Sequence, residues 1–538
     1  MTVPTITPYR SAVPEGRDGF AQLVRAEWTK LRTVRGWIIG AIIAALVTMG
    51  LGWFAGVGGA SSCNSVGGGP ARSGRSCAPQ LSEGPGGEPV TDNFYFVRQP
   101  LAGNGTITVR VTSLTGQLPI MNNGRGNPNQ QEQFRPGLQP WAKAGLIIKD
   151  GTTPGSAYAA IMVTGDHGVR LQSDYTQDTP GLPGAVSPAN PRWLRLTRSG
   201  DTITGYDSAD GTHWTQVGSV RLGGLPQVTQ AGLFTTSPIY QSLTENFGGG
   251  SNGSEEPSTA TGVFDQVALQ DSRPPGAWTG SYVGSGDFSP GIGSYRQAQD
   301  RFTVTGSGDI APVVSGPSGP GGPVITIANL LIGTFAGLIA LIVVATLFIT
   351  AEYRRGLIRT TLAASPRRGR VLGAKAVVIG SASFVTGLVA AAAAVIVGED
   401  IAGSRQFIFP VSWATELRII VGTAALIAVV AVLALAVGAM VRRSAAAVTL
   451  VIAIVVLPYF LAIIAALPDS VADWIVRLTP AAAFAVQQAV PAYPQVEAIY
   501  SPAGGYYPLP PWAGLLVLVA WAALALTAAI TLLRRRDA

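Results

Sequence analysis

Six stretches of the chain, residues 37–57, 324–350, 376–398, 419–441, 444–468 and 512–533, contain no Asp, Glu, Lys or Arg. A helix rising about 1.5 Å per residue needs about 20 apolar residues to cross a hydrocarbon core roughly 30 Å thick, and each stretch meets that length. Helices in a soluble core keep one polar face, so stretches this uniformly apolar read as membrane spans. The first is too long for the apolar region of a cleaved leader and is read as a span that is kept. The apolar balance of the whole chain, with only 12% charged residues, agrees.

A net charge of +7 raises the question of nucleic acid, but the position of the basic residues decides against it. Arg10, Arg17, Arg25, Lys30, Arg32 and Arg35 precede the first span, and Arg354, Arg355, Arg359, Arg367, Arg368, Arg370 and Lys375 lie between the second and third. Arg442 and Arg443 separate the fourth and fifth, and Arg534, Arg535 and Arg536 follow the sixth, whereas the two other short loops hold only Arg405, Arg418 and Arg477. Basic loops stay in the cytoplasm. The expectation is a multi-pass cell-membrane protein with both termini cytoplasmic, residues 351–375 and 534–538 inside, and the large segment between the first two spans outside.

Within the arm of residues 1–36, Phe20, Leu23, Val24, Trp28 and Leu31 recur at helical spacing. They predict an amphipathic helix lying in the cytoplasmic interface against membrane lipid, with Trp28 as its anchor. Residues 469–511 predict short outer helices, too short to span, before the last span.

The segment between the first two spans divides by composition into a Gly/Ser-rich neck (58–89), a β region (90–310) and a Gly/Pro linker (311–323). Cys63 and Cys77, the only cysteines, stand in the neck; outside the cell they are expected to form a disulfide. Neither they nor the two histidines have the spacing of a metal site, and no metal is expected. In the β region Ile107, Val109 and Val111 alternate with Thr106, Thr108, Arg110 and Thr112, the period of a strand with one buried face. Similar runs recur between turn signals such as Ser199-Gly200-Asp201 and Asp210-Gly211, which predicts an all-β antiparallel sandwich. The phrase from Arg192-Trp193-Leu194-Arg195-Leu196 through Gly200-Asp201-Thr202-Ile203 to Tyr206-Asp207-Ser208-Ala209-Asp210-Gly211-Thr212-His213-Trp214 resembles the concanavalin A-like or laminin G-like jelly rolls. Relatives of that fold often bind sugars. The resemblance implies an extracellular glycan as partner, with Trp141, Tyr175 or Trp214 stacking on it and Asp207 and Asp210 accepting from its hydroxyls, set against the plainer reading of a hairpin turn and core aromatics. No catalytic pair or nucleophile can be assigned, so the domain is expected to bind rather than cut.

After the second span the chain reads Ala351-Glu352-Tyr353-Arg354-Arg355-Gly356-Leu357-Ile358-Arg359-Thr360-Thr361-Leu362, then Ser365-Pro366-Arg367-Arg368 and Ala374-Lys375. With Arg25-Ala26-Glu27-Trp28-Thr29-Lys30-Leu31, this resembles the permeases of ABC-2 type exporters. The resemblance implies a mixed fold, a six-helix transmembrane permease with the sandwich inserted between its first two spans. It further implies a dimer of permease chains, homomeric or heteromeric, and a cytoplasmic loop seated on a separate ATP-binding subunit. The residues it assigns to that coupling are Glu352, Arg355, Gly356, Leu357, Arg359, Leu362, Pro366, Arg367 and Arg370. No GxxxxGK[ST] phosphate loop occurs in the chain, so no cofactor is expected on it, and ATP with Mg would be bound by the partner subunit. Spans without internal charge argue against an ion relay. The reading is an ATP-driven exporter of apolar or amphipathic cargo that is not itself an enzyme; the alternative is a membrane-anchored, glycan-binding sensor or mechanotransmitting envelope protein.

Overall fold

The computed structural model describes residues 19–58, 81–120, 133–246, 250–270, 276–284, 292–314, 324–364, 367–403, 407–463, 469–498, 500, 502 and 505–536. Cys63, Cys77 and Pro366 lie outside the described residues, as do the side chains of Arg359 and Leu362.

The helices are α1 (Phe20–Thr33), α2 (Arg35–Gly58), α3 (Ile327–Leu330), α4 (Thr334–Arg354), α5 (Leu357–Ala364), α6 (Arg368–Gly403), α7 (Trp413–Val441), α8 (Ser444–Val455), α9 (Leu457–Ile463), α10 (Asp469–Leu478) and α11 (Pro511–Arg536). Among the described residues six helical segments are long and apolar enough to cross a membrane: α2, α4, α6, α7, α11 and the α8–α9 pair. Most of α7 is buried, whereas α2 and α11 expose most of their length. Close approach explains the α2–α4 contact: a Cβ on Gly333 or Gly337 would run into the backbone or hydroxyl of Thr48. At the other end of α4, Gly356 adopts φ +70°, a left-handed conformation that stops the helix and turns the chain into α5.

Within the described part of the fifth expected span, residues 444–463, the helix breaks at Val456, because Pro458 has no N–H to donate to the Ile454 carbonyl. The apolar segment after α10, expected as an interfacial or partly re-entrant helix, is buried in the bundle. It forms a 3₁₀ helix, Pro480–Gln487, with every residue buried, Val486 lying against Gly422 of α7 and Ala482 against Gly514 of α11. Phe484 stacks on Phe335 there, with ring centroids 4.6 Å apart.

The β region is antiparallel throughout and is layered. An outer sheet runs in the order Thr215–Arg221, Thr202–Ser208, Arg192–Ser199, Gly105–Pro119, Thr259–Gln270, Arg301–Gly306, Gly293–Ala298. An inner sheet runs Thr279–Val283, Phe94–Ala102, Val228–Thr236, Lys143–Lys149, Tyr158–Thr164, Val169–Ser173, Gln177–Pro180. Between them Ile107, Val109, Leu146, Leu194, Leu233 and Phe264 form the main core. A small stalk sheet of Ser82–Glu83, Pro89–Asp92 and Ile310–Pro312 covers the inner sheet's other face through Val90, Phe96, Ile147 and Ile310. The stalk reaches the helix bundle through a further apolar cluster, in which Ala311, Val313 and Val314 pack with Phe409, Val490, Val496 and Tyr506. The Gln495 amide also donates to the Thr176 carbonyl (3.1 Å).

Strand Lys143–Lys149 is buried on both faces, as its near-continuous apolar run allows. Lys143 and Lys149 share the face of Ile147, because side chains repeat with period two, and both therefore meet the stalk. The Lys143 ammonium donates to Asp309 and to the Ile310 carbonyl. Lys149 lies 2.8 Å from Asp92, which also accepts from the Tyr175 hydroxyl and the Gly155 N–H. Burial pulls the Lys149 ammonium below its usual pKa, and the charge of Asp92 offsets only part of that.

Breaking one partner of such a pair leaves an uncompensated buried charge. Lys149→Met is expected to destabilise the sandwich by about 3–5 kcal/mol, and Lys149→Met with Asp92→Asn to recover part of that loss. Thermal unfolding of the detergent-purified chain and hydrogen exchange of strand Lys143–Lys149 measure both; equal losses in the single and double variants would contradict the pairing.

Candidate coupling site

At one end of the bundle three helices meet around buried charge. Lys375, near the start of α6, is completely buried, and its Nζ lies 2.7 Å from Glu27 Oε2 of α1 and 2.7 Å from Glu352 Oε1 of α4. Lys30 of α1 closes the ring at 2.8 Å from Glu27 Oε1 and 3.2 Å from Glu352 Oε1. Two ammoniums alternate with two carboxylates, so the cluster is neutral as a whole. The Lys375 ammonium also stands 5.0 Å from the centroid of Phe348, where the ring face favours a cation. For Lys30, burial pulls the pKa down, but Glu27 and Glu352 outweigh it and leave the ammonium above its usual value.

Glu352 is 8% exposed and held against Lys375 and Lys30, and among the described residues its Oε2 has no hydrogen-bond partner. On α1, Val24 and Leu31 pack against the bundle core while Phe20 and Trp28 remain 43% and 45% exposed, and Leu23 is half-buried. Glu27, which the apolar pattern passed over, is the residue of that helix most buried in the bundle. The signal available in the sequence was the Glu27-to-Lys30 spacing together with the scarcity of lysine: Lys30, Lys143, Lys149 and Lys375 are the only ones in the chain.

The ring holds out an exposed basic surface. Arg354, Arg355, Gly356 and Leu357 are exposed at the turn, as are Thr360 on α5 and Arg367 and Arg370 before and within the first turn of α6. The Arg368 guanidinium donates to the Leu533 carbonyl (2.8 Å), tying the start of α6 to the end of α11.

The residues named for a glycan are not brought together. Trp141 is 6% exposed, packed on His167 at 4.0 Å, and Tyr175 is 1% exposed with its hydroxyl committed to Asp92. Asp207 is 1% exposed and accepts from the Leu182 N–H (2.6 Å). These three are core groups and cannot meet a sugar. Asp210 is exposed, but its Oδ1 accepts from the Thr212 and His213 N–H groups (2.8 Å each), the work of a turn. Trp214 is half-buried beneath the Arg195 guanidinium, 3.7 Å away.

Lys375→Met strands two carboxylates on one ammonium and should cost about 3–5 kcal/mol, freeing α1 from the bundle; Lys375→Met with Glu352→Leu should cost less. Thermal unfolding, with maleimide accessibility of a Val24→Cys reporter, checks this. Unchanged accessibility in the single variant would show that the ring does not hold α1.

Among solved structures, a functionally unknown protein from Saccharomyces cerevisiae is similar at 15% identity, covering 37% of this chain and 84% of its own, with a TM-score of 0.22. Scytalido-glutamic peptidase with a transition state analog inhibitor is similar at 9% identity, 40% and 98% coverage and a TM-score of 0.25. Neither likeness is strong enough to bear on what this protein does. Curated proteins give no match. The family described as ABC-2 family transporter protein matches residues 194–538, well over half of the chain, and the protein therefore belongs to that family: it is a multi-pass membrane protein and a permease component of an ABC transporter.

Proposed function

We propose that the exposed arginines around α5 seat this permease on a separate ATP-binding subunit, and that ATP hydrolysis there drives export of an apolar or amphipathic cargo. The observation that carries this reading is the fixed α4–α5 turn. Gly356 reverses the chain, the buried ring anchors α4 on α6, and Leu357 is exposed, as are Arg354, Arg355, Arg367 and Arg370. A coupling element must transmit force, and a lever anchored by a multiply paired buried charge is stiffer than a solvated loop. Arg359, Leu362 and Pro366 belong to the same proposed contact by position in the sequence. The termini and this element lie on the cytoplasmic side in this reading, because the basic loops share that side, and the sandwich lies outside. A dimer of permease chains fits the exposure of α2 and α11.

A second reading, mechanical signalling between the sandwich and the ATP-binding subunit, draws support from the apolar joint of Val313, Val314, Phe409, Val490 and Tyr506. A packed joint would pass displacement of the outer loops to the sandwich, where a flexible tether would not.

Co-purification from native membranes should recover an ATP-binding subunit. In reconstituted vesicles, Arg355→Glu with Arg367→Glu should lower permease-dependent ATPase activity by about tenfold or more, because like charges facing each other across an interface cost several kcal/mol. Retained stimulation would remove the basic surface from the coupling. On a cysteine-free background, Ser294→Cys should react with an impermeant maleimide in intact cells and Thr360→Cys only after lysis; the reverse pattern would invert the topology.

A further inference from the structure

The layers of the β region stack outward from the bundle in the order apolar joint, stalk sheet, inner sheet, outer sheet. The second face of the outer sheet is the one farthest from the helices. Its side chains follow from the registers. Burial of Ile107, Val109 and Val111 turns Thr106, Thr108 and Arg110 outward; burial of Leu194 and Leu196 turns out Trp193, Arg195 and Thr197; burial of Ile203 turns out Thr204 and Tyr206. Cross-strand pairing then sets Trp193 beside Arg110, and Arg195 between Thr108 and Tyr206.

The two central arginines differ. Arg110 is neutralised by a two-point contact with Asp265 at 2.7 and 2.8 Å. The Arg195 guanidinium carbon lies over the Trp214 ring, 3.7 Å from its centroid, and its Nε donates to the Thr108 hydroxyl (3.3 Å). Among the described residues no carboxylate pairs with it, and the one hydrogen bond described for its guanidinium is the one from Nε. Arg221, Arg296 and Arg301 are exposed on the flanking strands of the same sheet, also without a carboxylate partner among the described residues. The strands of this sheet carry two acids, Asp265, which Arg110 neutralises, and Asp207, which is buried. Hydroxyls fill the spaces: Thr106 pairs with Thr197, and Thr204 with Ser219.

We propose that this distal face binds a carboxylate-bearing polysaccharide, with Arg195 as the carboxylate receptor. A guanidinium matches a carboxylate with two parallel hydrogen bonds, and the stack on Trp214 fixes the fork in advance, so little freedom is lost on binding. The exposed parts of Trp193 and Tyr206 offer apolar surface to a sugar ring, and the hydroxyl ladder offers donors and acceptors to its hydroxyls. A neutral glycan would leave four arginines uncompensated; a simple anion would have no use for the rings. The site differs from the grouping of Trp141, Tyr175 and Asp207, which is core. The proposal rests on the reading that the sandwich lies outside the cell.

The full-length chain in detergent micelles is immobilised and titrated with alginate oligomers, with dextran as the neutral polymer and polyphosphate as the anionic polymer without sugar. Alginate is expected to bind more weakly as salt rises, dextran not to bind, and Arg195→Gln to weaken alginate binding about tenfold or more, with Arg195→Lys intermediate and Arg477→Gln, on α10, without effect. Thermal unfolding verifies that Arg195→Gln still folds. If it does not, Arg221→Gln with Arg296→Gln on the exposed strands provides the same comparison. Absence of alginate binding, equal binding of dextran, tighter binding of polyphosphate than of alginate, unchanged binding in the arginine variants, or a protein partner on this face that alginate does not displace would each overturn the proposal. An inverted topology would leave binding in micelles intact and appear only in the labelling of intact cells, so the two failures are distinguishable.

Discussion

The position of Lys375 constrains the helix bundle more than any other single contact. An ammonium with no solvent exposure loses its hydration, and the interior must replace it. Glu27 and Glu352 do so from two other helices, and Lys30 balances the second carboxylate. Apolar contacts among α1, α4 and α6 are non-directional and would tolerate a slip of the helices past one another. An ionic ring with contacts of 2.7–3.2 Å does not. It fixes the register of the helices, and with it the place where α4 ends and α5 begins.

The β region uses the same device at a second boundary. Lys143 and Lys149 mark the two ends of one central strand, and each is tied to an aspartate of the stalk or its approach. Hydrophobic layers alone would let the stalk sheet slide over the inner sheet. Two buried pairs set by the length of a single strand determine one docking position. From there the joint of Val313, Val314 and Phe409 carries the order on to the helices. In this chain all four lysines sit in carboxylate pairs, three of them with no exposure. An ammonium is a compact charge with three donors, which suits the tight spaces beside Phe348 and between Tyr158 and Tyr175.

The two surfaces proposed as partner sites have a common construction. On each, among the described residues, exposed arginines lack carboxylate partners while acids nearby are already used: Glu27 and Glu352 by the lysines at the bundle's end, Asp265 by Arg110 on the outer sheet. Net basic character at these places is thus a product of internal pairing and not only of local composition.

Periodicity and length are local properties, and the sequence by itself determined what they govern. Uncharged runs of bilayer length became apolar helices, although the second starts at Thr334 and not at Val324, and alternation at Ile107, Val109 and Val111 became a strand with one buried face. The amphipathic spacing of Phe20, Val24, Trp28 and Leu31 marked a helix too. Contacts between distant segments were decided only by the tertiary structure. Glu27 lies more than three hundred positions from Glu352 and Lys375, and each of the three alone reads as a solvated charge at a membrane edge; only the packing of α1, α4 and α6 reveals that they are buried together. For Trp141, Tyr175 and Asp207 the sequence leaned to core or turn over a sugar-binding surface, but only the fold decides: Asp207 faces inward by the register of its strand, and Trp141 and Tyr175 are buried in turns between strands. The break before Pro458 lay within reach of the sequence, since a proline cannot donate the hydrogen bond. That the next apolar segment would be swallowed by α7 and α11 did not, because burial depends on the partners that the fold supplies.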